Sequence, residues 1–169
     1  MHKSPILFSI CLITVSLCSN QPLLAETLPI PIASDAPLEL DLLINPKGSL
    51  ITADTINQEK LTVPSLWWLK ENFDNQLLAN WIVYPTVGNQ PARVDLIVNQ
   101  RIWSLLDYIE RYSFVNRLGT FVRNYGYNVR VFNYQKEPLA SYTYNFQVNP
   151  ALCRIEINSQ NKFGFERFF

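Results

Sequence analysis

Residues 127–146 read YNVRVFNYQKEPLASYTYNF. Two alternating runs flank a polar break marked by proline, the pattern of a β-hairpin. Taking Gln135 to Pro138 as a four-residue loop sets Tyr134 opposite Leu139, Val131 opposite Tyr142, Val129 opposite Tyr144 and Tyr127 opposite Phe146. One face is then apolar and aromatic. The other carries Asn128, Arg130, Ser141, Thr143 and Asn145, with Phe132 as its single apolar exception. A slip of one residue would mix the faces, so the pattern itself selects which residues point together.

Upstream of this hairpin the apolar period changes from two to that of a helix. Asn99 stands where an N-cap belongs, and Ile102, Leu105, Leu106 and Ile109 form an amphipathic stripe behind it. The stripe breaks around Ser113 and restarts with Phe114, Leu118, Phe121, Val122 and Tyr125, which predicts two abutting helices or one kinked helix. Gly126 is placed for a left-handed C′ residue. Before the helices, Asn80–Tyr84 and Val94–Val98 read as a second hairpin, with Pro85, Gly88, Asn89 and Pro91 in its loop. A further helix is expected from Ser65 to about Leu78, with Leu66, Leu69, Phe73 and Leu77 at helical spacing. Beyond the first hairpin, Asn149-Pro150 turns the chain into a strand from Cys153 to Ile157. The order helix, hairpin, helix pair, hairpin, strand predicts a single α+β domain spanning residues 64–158: an antiparallel sheet built from hairpins with helices packed on one face. The helix-free face, carrying Arg130, Thr143 and Asn145, is expected to be wet.

The ends read differently. Residues 1–25 have a basic start, the apolar run PILFSICLITVSL and a small residue, Ala25, where a signal peptidase cuts. Cleavage after Ala25 is the reading taken; acylation at Cys18 and an uncleaved anchor are the alternatives. The run is shorter than the roughly 20 residues that a membrane span needs, so no stable span is expected after cleavage. Residues 26–63 read as a proline-containing extended leader with a strand at Leu38–Ile44, a turn at Asn45–Gly48 and ambiguous structure beyond. Residues 159–169 form an aromatic tail with Phe163, Phe165, Phe168 and Phe169. A terminal Phe also ends many outer-membrane barrels, but the helical period of residues 100–125 argues against a barrel.

The signal takes chemistry with it. His2 is the one histidine of the chain, and Cys11 and Cys18 are two of its three cysteines. An exported chain without histidine has no Ser-His-Asp or Cys-His catalysis and no HExxH site, so no metal centre or cofactor is expected. Cys153, alone, is expected as a small buried apolar residue. The mature balance is 13 basic against 14 acidic residues, or −1, which points to no nucleic-acid partner. Charge is uneven, with six arginines against three acids in residues 93–130.

Within that basic stretch, Tyr108, Arg111, Tyr112, Arg117, Arg123 and Tyr125 are candidates for a cationic, aromatic-lined surface that binds an acidic partner or a glycan. The bland reading is an Asp107–Arg111 helix ion pair with arginines solvating an outer face. Trp67 and Trp68 point about 100° apart on a helix, so one joins the core and the other, Trp68, lies nearer solvent. Trp81 and Trp103 read as core. Asp95, Asp107 and Glu110 are the carboxylates available for glycosidic hydrolysis, although Asp95 on an outward strand face needs no special explanation.

The segments PSLWWLKENFDNQLLANWIVYP (64–85), VDLIVNQRIWSLLDYIERYSFVNRLGT (94–120) and NYGYNVRVFN (124–133) resemble an uncharacterised exported protein family of cyanobacteria. The resemblance implies a setting, the periplasm or thylakoid lumen, and no catalytic residue. The leading expectation is a non-enzymatic interaction or accessory domain that meets another exported or membrane protein. The alternatives are a carboxylate-dependent hydrolase or glycan-binding domain acting on wall or exopolysaccharide material, and a structural envelope component.

Overall fold

The computed structural model describes residues 31–55, 66–72, 76–88, 91–146 and 152–158. The expected signal segment, the aromatic tail and the expected helix residue Phe73 lie outside them. A 3-10 turn at Leu40–Leu43 precedes strand β1 (Ile51–Thr52), helix α1 (Trp67–Asn72), β2 (Leu78–Tyr84) and β3 (Arg93–Val98). Helices α2 (Gln100–Leu105) and α3 (Tyr108–Arg123) follow, then β4 (Asn128–Phe132), β5 (Pro138–Asn145) and β6 (Leu152–Ile157). The strands form one sheet in chain order, β1-β2-β3-β4-β5-β6. The expected α+β class, with hairpins and a helix-covered face, is what the chain forms. Every pair is antiparallel except β3 with β4, where Asp95 lies beside Arg130. That one parallel junction follows from the helix pair between the strands, because parallel neighbours need a long crossover.

The β4–β5 hairpin keeps its predicted faces but not its predicted register. Val129 pairs with Tyr142, Arg130 with Ser141 and Val131 with Ala140. Over Val129–Val131 this is a shift of two residues, which leaves those side chains on their faces, and a bulge follows where Phe132 pairs with Pro138. The cause is the turn. Asn133 accepts from the Glu137 N–H through Oδ1 at 2.9 Å and donates to its carboxylate at 2.6 Å, while Lys136 adopts φ 64°. The loop therefore closes at Asn133–Glu137, and Pro138 begins the returning strand, the position where a missing N–H is tolerated.

The helix boundary also moves. The expected break near Ser113 falls at Leu106–Asp107, where Asp107 caps α3. Its carboxylate accepts from the Glu110 N–H, and Glu110 accepts from the Asp107 N–H, each at 2.8 Å. This reciprocal capping box satisfies two otherwise orphaned donors. Asn99 caps α2 as expected, accepting from the Arg101 N–H at 3.0 Å. Gly126 closes α3 with φ 83°.

Helices α2 and α3 bury Trp103, Phe114, Val115, Leu118 and Val122 against Trp81, Val94, Leu96, Val129, Val131 and Tyr142. Each such fully buried side chain contributes about 1.5–3 kcal/mol. Trp67 packs edge-on to Trp81 with centroids 5.4 Å apart, while its neighbour Trp68 is exposed. Gly119 lets α3 approach the sheet, since a Cβ there would overlap the Tyr142 ring.

The opposite face is not wet. Residues 31–43 lie across it, and Leu38 and Leu42 pack with Ile82, Tyr84, Ile97 and Phe132 in a second apolar cluster. Thr143 donates to the Pro31 carbonyl at 3.0 Å, and Arg130 Nη1 donates to the carbonyls of Ser34 and Ala36 at 2.9 and 2.5 Å. The expected strand at Leu38–Ile44 is instead an extended segment ending in the 3-10 turn. Its leucines meet the sheet face rather than a ladder. With both faces covered, every residue of β3 is buried.

Candidate functional site

The sequence-predicted surface residues separate into two groups. Tyr108 and Tyr112, one helical turn apart on α3, stack with centroids 6.4 Å apart and are 61% and 39% exposed. Beside them stand Leu105 and Ile109, 80% and 66% exposed. Both had been expected in the core-facing stripe. The new cap at Asp107 resets the helical phase, so Ile102, Trp103 and Leu106 turn inward while Leu105 and Ile109 turn out. The elbow between α2 and α3 thus displays four large apolar side chains that sequence reading only half identified. The DYIE box at 107–110 was the available signal.

The cationic half of the expected surface is dispersed. Arg111 Nε donates to the Trp103 carbonyl at 3.2 Å, and its guanidinium lies 5.6 Å from the Trp103 ring centre. Asp107, read as its ion-pair partner, is occupied as the cap. Arg123 donates to the Tyr142 hydroxyl at 3.3 Å and lies 5.5 Å from the Tyr144 ring. That hydrogen bond, with the partial charge of the phenol oxygen, raises the Arg123 pKa further. Arg117 is exposed on α3, and Tyr125 lies beyond its end, 51% exposed. Trp68 sits on α1, away in sequence from the elbow, at 57% exposure. These seven candidates do not converge on one site.

The carboxylates fare likewise. Asp107 and Glu110 cap each other's backbone. Asp95, expected to face outward, is fully buried. Arg130 binds it with two parallel bonds, Nε to Oδ1 at 2.8 Å and Nη2 to Oδ2 at 2.6 Å. This fork-to-carboxylate geometry is the strongest side-chain pairing available to an arginine. Arg93, two residues before Asp95 on the same face, reaches Oδ2 only at 3.7 Å. The leader seals the cluster, which is why a polar strand face became an interior one. Cys153, expected buried, is exposed near the start of β6, an edge strand none of whose residues is fully buried.

Two concavities border the leader. A groove of about 440 Å³ runs between residues 33–38 and strands β4 to β6, with Arg130, Lys136, Ser141 and Glu156 along it. A smaller one of about 260 Å³ opens between the leader, Leu50 and the β2–β3 loop, with Tyr84 and Arg93 in its wall. Burial, and then the Asp95 charge, push the Tyr84 phenol up to about 12, so it is a neutral donor at physiological pH.

No protein-family model, curated protein or solved structure matches the chain. Among the described residues no helix is long and apolar enough to cross a membrane.

Proposed function

We propose that this chain is a non-enzymatic interaction domain of an exported compartment, periplasm or thylakoid lumen, that docks a protein partner through the α2–α3 elbow. The exposed quartet Leu105, Tyr108, Ile109 and Tyr112 carries this reading. Contiguous exposed apolar side chains on a folded domain mark interaction surfaces, and tyrosine suits them because one end is apolar and the other wet. The partner is expected to present apolar side chains, since Arg111 and Arg123 are turned onto Trp103 and Tyr142 instead of framing the patch. The signal segment supports the compartment.

The experiment is capture from the exported fraction by the mature chain and by a Leu105→Asp, Ile109→Asp variant. Loss of a specific partner with an unchanged unfolding midpoint supports the elbow. Retention of every partner sinks it. The hydrolase reading keeps little support, because Asp95, Asp107 and Glu110 are each held in structural hydrogen bonds.

A further inference from the structure

Asp95 has one negative charge, and Arg130 already occupies both of its oxygens. Arg93 is the second buried cation of the cluster, 6% exposed, and its only described polar contact is the 3.7 Å approach to Asp95. Its Nε is buried without a hydrogen-bond partner among the described residues, and so is the hydroxyl of Tyr84 directly across the strand pair. The two side chains are joined: the guanidinium carbon lies 3.8 Å from the centre of the Tyr84 ring. A guanidinium stacked on a ring loses little further freedom when it takes a ligand.

Arg93 shares its one carboxylate with Arg130 and makes no hydrogen bond through Nε among the described residues, so the pair of arginines carries an excess positive charge beside Asp95. Both Arg93 and Tyr84 stand in the wall of the 260 Å³ concavity. Its remaining lining is largely apolar, with Leu50, Val87 and Pro91, and Glu39 is also part of it. The volume lies just below the range of drug-sized pockets, which limits the occupant to a small molecule.

We infer that this concavity is a binding site for a small carboxylate with an apolar body, the carboxylate received by Arg93 with the Tyr84 hydroxyl beside it. Arginine matches a carboxylate with two parallel donors, and a water-excluded wall strengthens each bond. The apolar body lies against Leu50, Val87 and Pro91. Glu39 disfavours a second negative charge and accommodates an amine, so the class extends to amino-acid-like zwitterions.

Calorimetric titration of the mature chain with L-leucine, 4-methylpentanoate, L-leucinamide and inorganic phosphate tests the inference. Saturable binding of leucine or 4-methylpentanoate, absent for leucinamide, is the expected result. Arg93→Gln removes the positive charge and the two-pronged donor geometry while leaving the Asp95–Arg130 pair complete, and is expected to weaken binding at least about tenfold, the worth of a hydrogen bond to a charged group. Should that variant fail to fold, Tyr84→Phe keeps the ring and loses only the hydroxyl; a clear loss of affinity there supports the site in the same way. Failure of both acids to bind, equal binding of leucinamide, binding of phosphate alone, or unchanged affinity in the variants would each overturn it.

Discussion

The two faces of the sheet are buried by different means. On one, α2 and α3 cover the strands with aromatic and aliphatic side chains, and α3 contributes its polar groups at its ends and outer side. On the other, a proline-punctuated leader without regular ladder bonds covers a face that carries Arg93, Asp95 and Arg130. The helical face is held by packing that any well-shaped apolar set could supply. The leader face is held by the apolar cluster around Leu38 and Leu42 together with a buried charge network, Arg93, Asp95 and Arg130, whose members depend on one another. The same residue type therefore has different weight on the two sides, and Asp95 and Asp107 make the comparison concrete.

Asp95→Asn is expected to give the largest effect. It keeps the side-chain volume but leaves two buried guanidiniums without a counter-charge, a loss of about 3–5 kcal/mol. Urea unfolding of the mature chain, followed by tryptophan fluorescence, measures it. Replacing both partners, Asp95→Leu with Arg130→Met, removes one of the two stranded charges and leaves Arg93, so it is expected to recover only part of that loss, because buried ion pairs often exchange for apolar pairs at little cost. A double variant as unstable as Asp95→Asn alone would show that the stranded Arg93 and the leader carbonyls of Ser34 and Ala36, not the Asp95–Arg130 pair, dominate this face.

The helical face was the legible one. Helix and strand periods placed the strands β2 to β6, both caps at Asn99 and Gly126, and the core tryptophans Trp81 and Trp103. They also kept the hairpin faces right while missing its register by two residues, since side-chain alternation repeats every two and only the Asn133–Glu137 contacts decide between equivalent registers. The leader face was not legible, for two physical reasons. An extended cover has no period to detect, and a buried salt bridge looks in sequence like a solvated polar face. Phe132, the one apolar residue on that face, and the apolar run at Leu38–Leu43 were the two halves of the missing contact. The candidate site was half legible: Tyr108 and Tyr112 are exposed as expected, whereas Leu105 and Ile109 appear only once the DYIE box is read as a helix start.

A second effect separates the faces by pH. The Tyr84 phenol is raised to about 12 in the folded chain against an ordinary value near 10. A raised acid favours folding in its protonated form. That contribution is complete below pH 10 and is lost as pH rises towards 12. By pH 11 the expected loss is about 1.4 kcal/mol, the consequence of one pH unit of ionisation gained by the unfolded chain alone. Tyr127, on the helical face, shifts in the same direction by burial, so the comparison must isolate Tyr84. Tyr84→Phe does so: its stability should fall less than that of the parent between pH 9 and 11. Parallel curves would mean that the Tyr84 hydroxyl reaches solvent, and that the leader closes this face less tightly than its packing indicates.

Asp107→Ala is the smallest of the three and the direct counterpart of Asp95→Asn. Asp107 is exposed, its carboxylate accepts from the Glu110 N–H on the same turn while its own N–H donates to the Glu110 carboxylate, and water can replace either bond. The expected cost is that of one lost N-cap, about 1 kcal/mol. Hydrogen exchange locates it: protection should fall at Tyr108 to Arg111 while the core strands keep theirs, because fraying of a first turn is a local opening. The elbow quartet gives the change a second readout. Tyr108 and Ile109 sit in the turn that Asp107 starts, so partner capture should weaken in this variant more than 1 kcal/mol of global stability alone would explain. Asp107→Ser, which restores a capping oxygen without the charge, should recover both. An Asp107→Ala variant as unstable as Asp95→Asn would erase the distinction between the faces, since a solvent-exposed cap would then matter as much as a sealed ion pair.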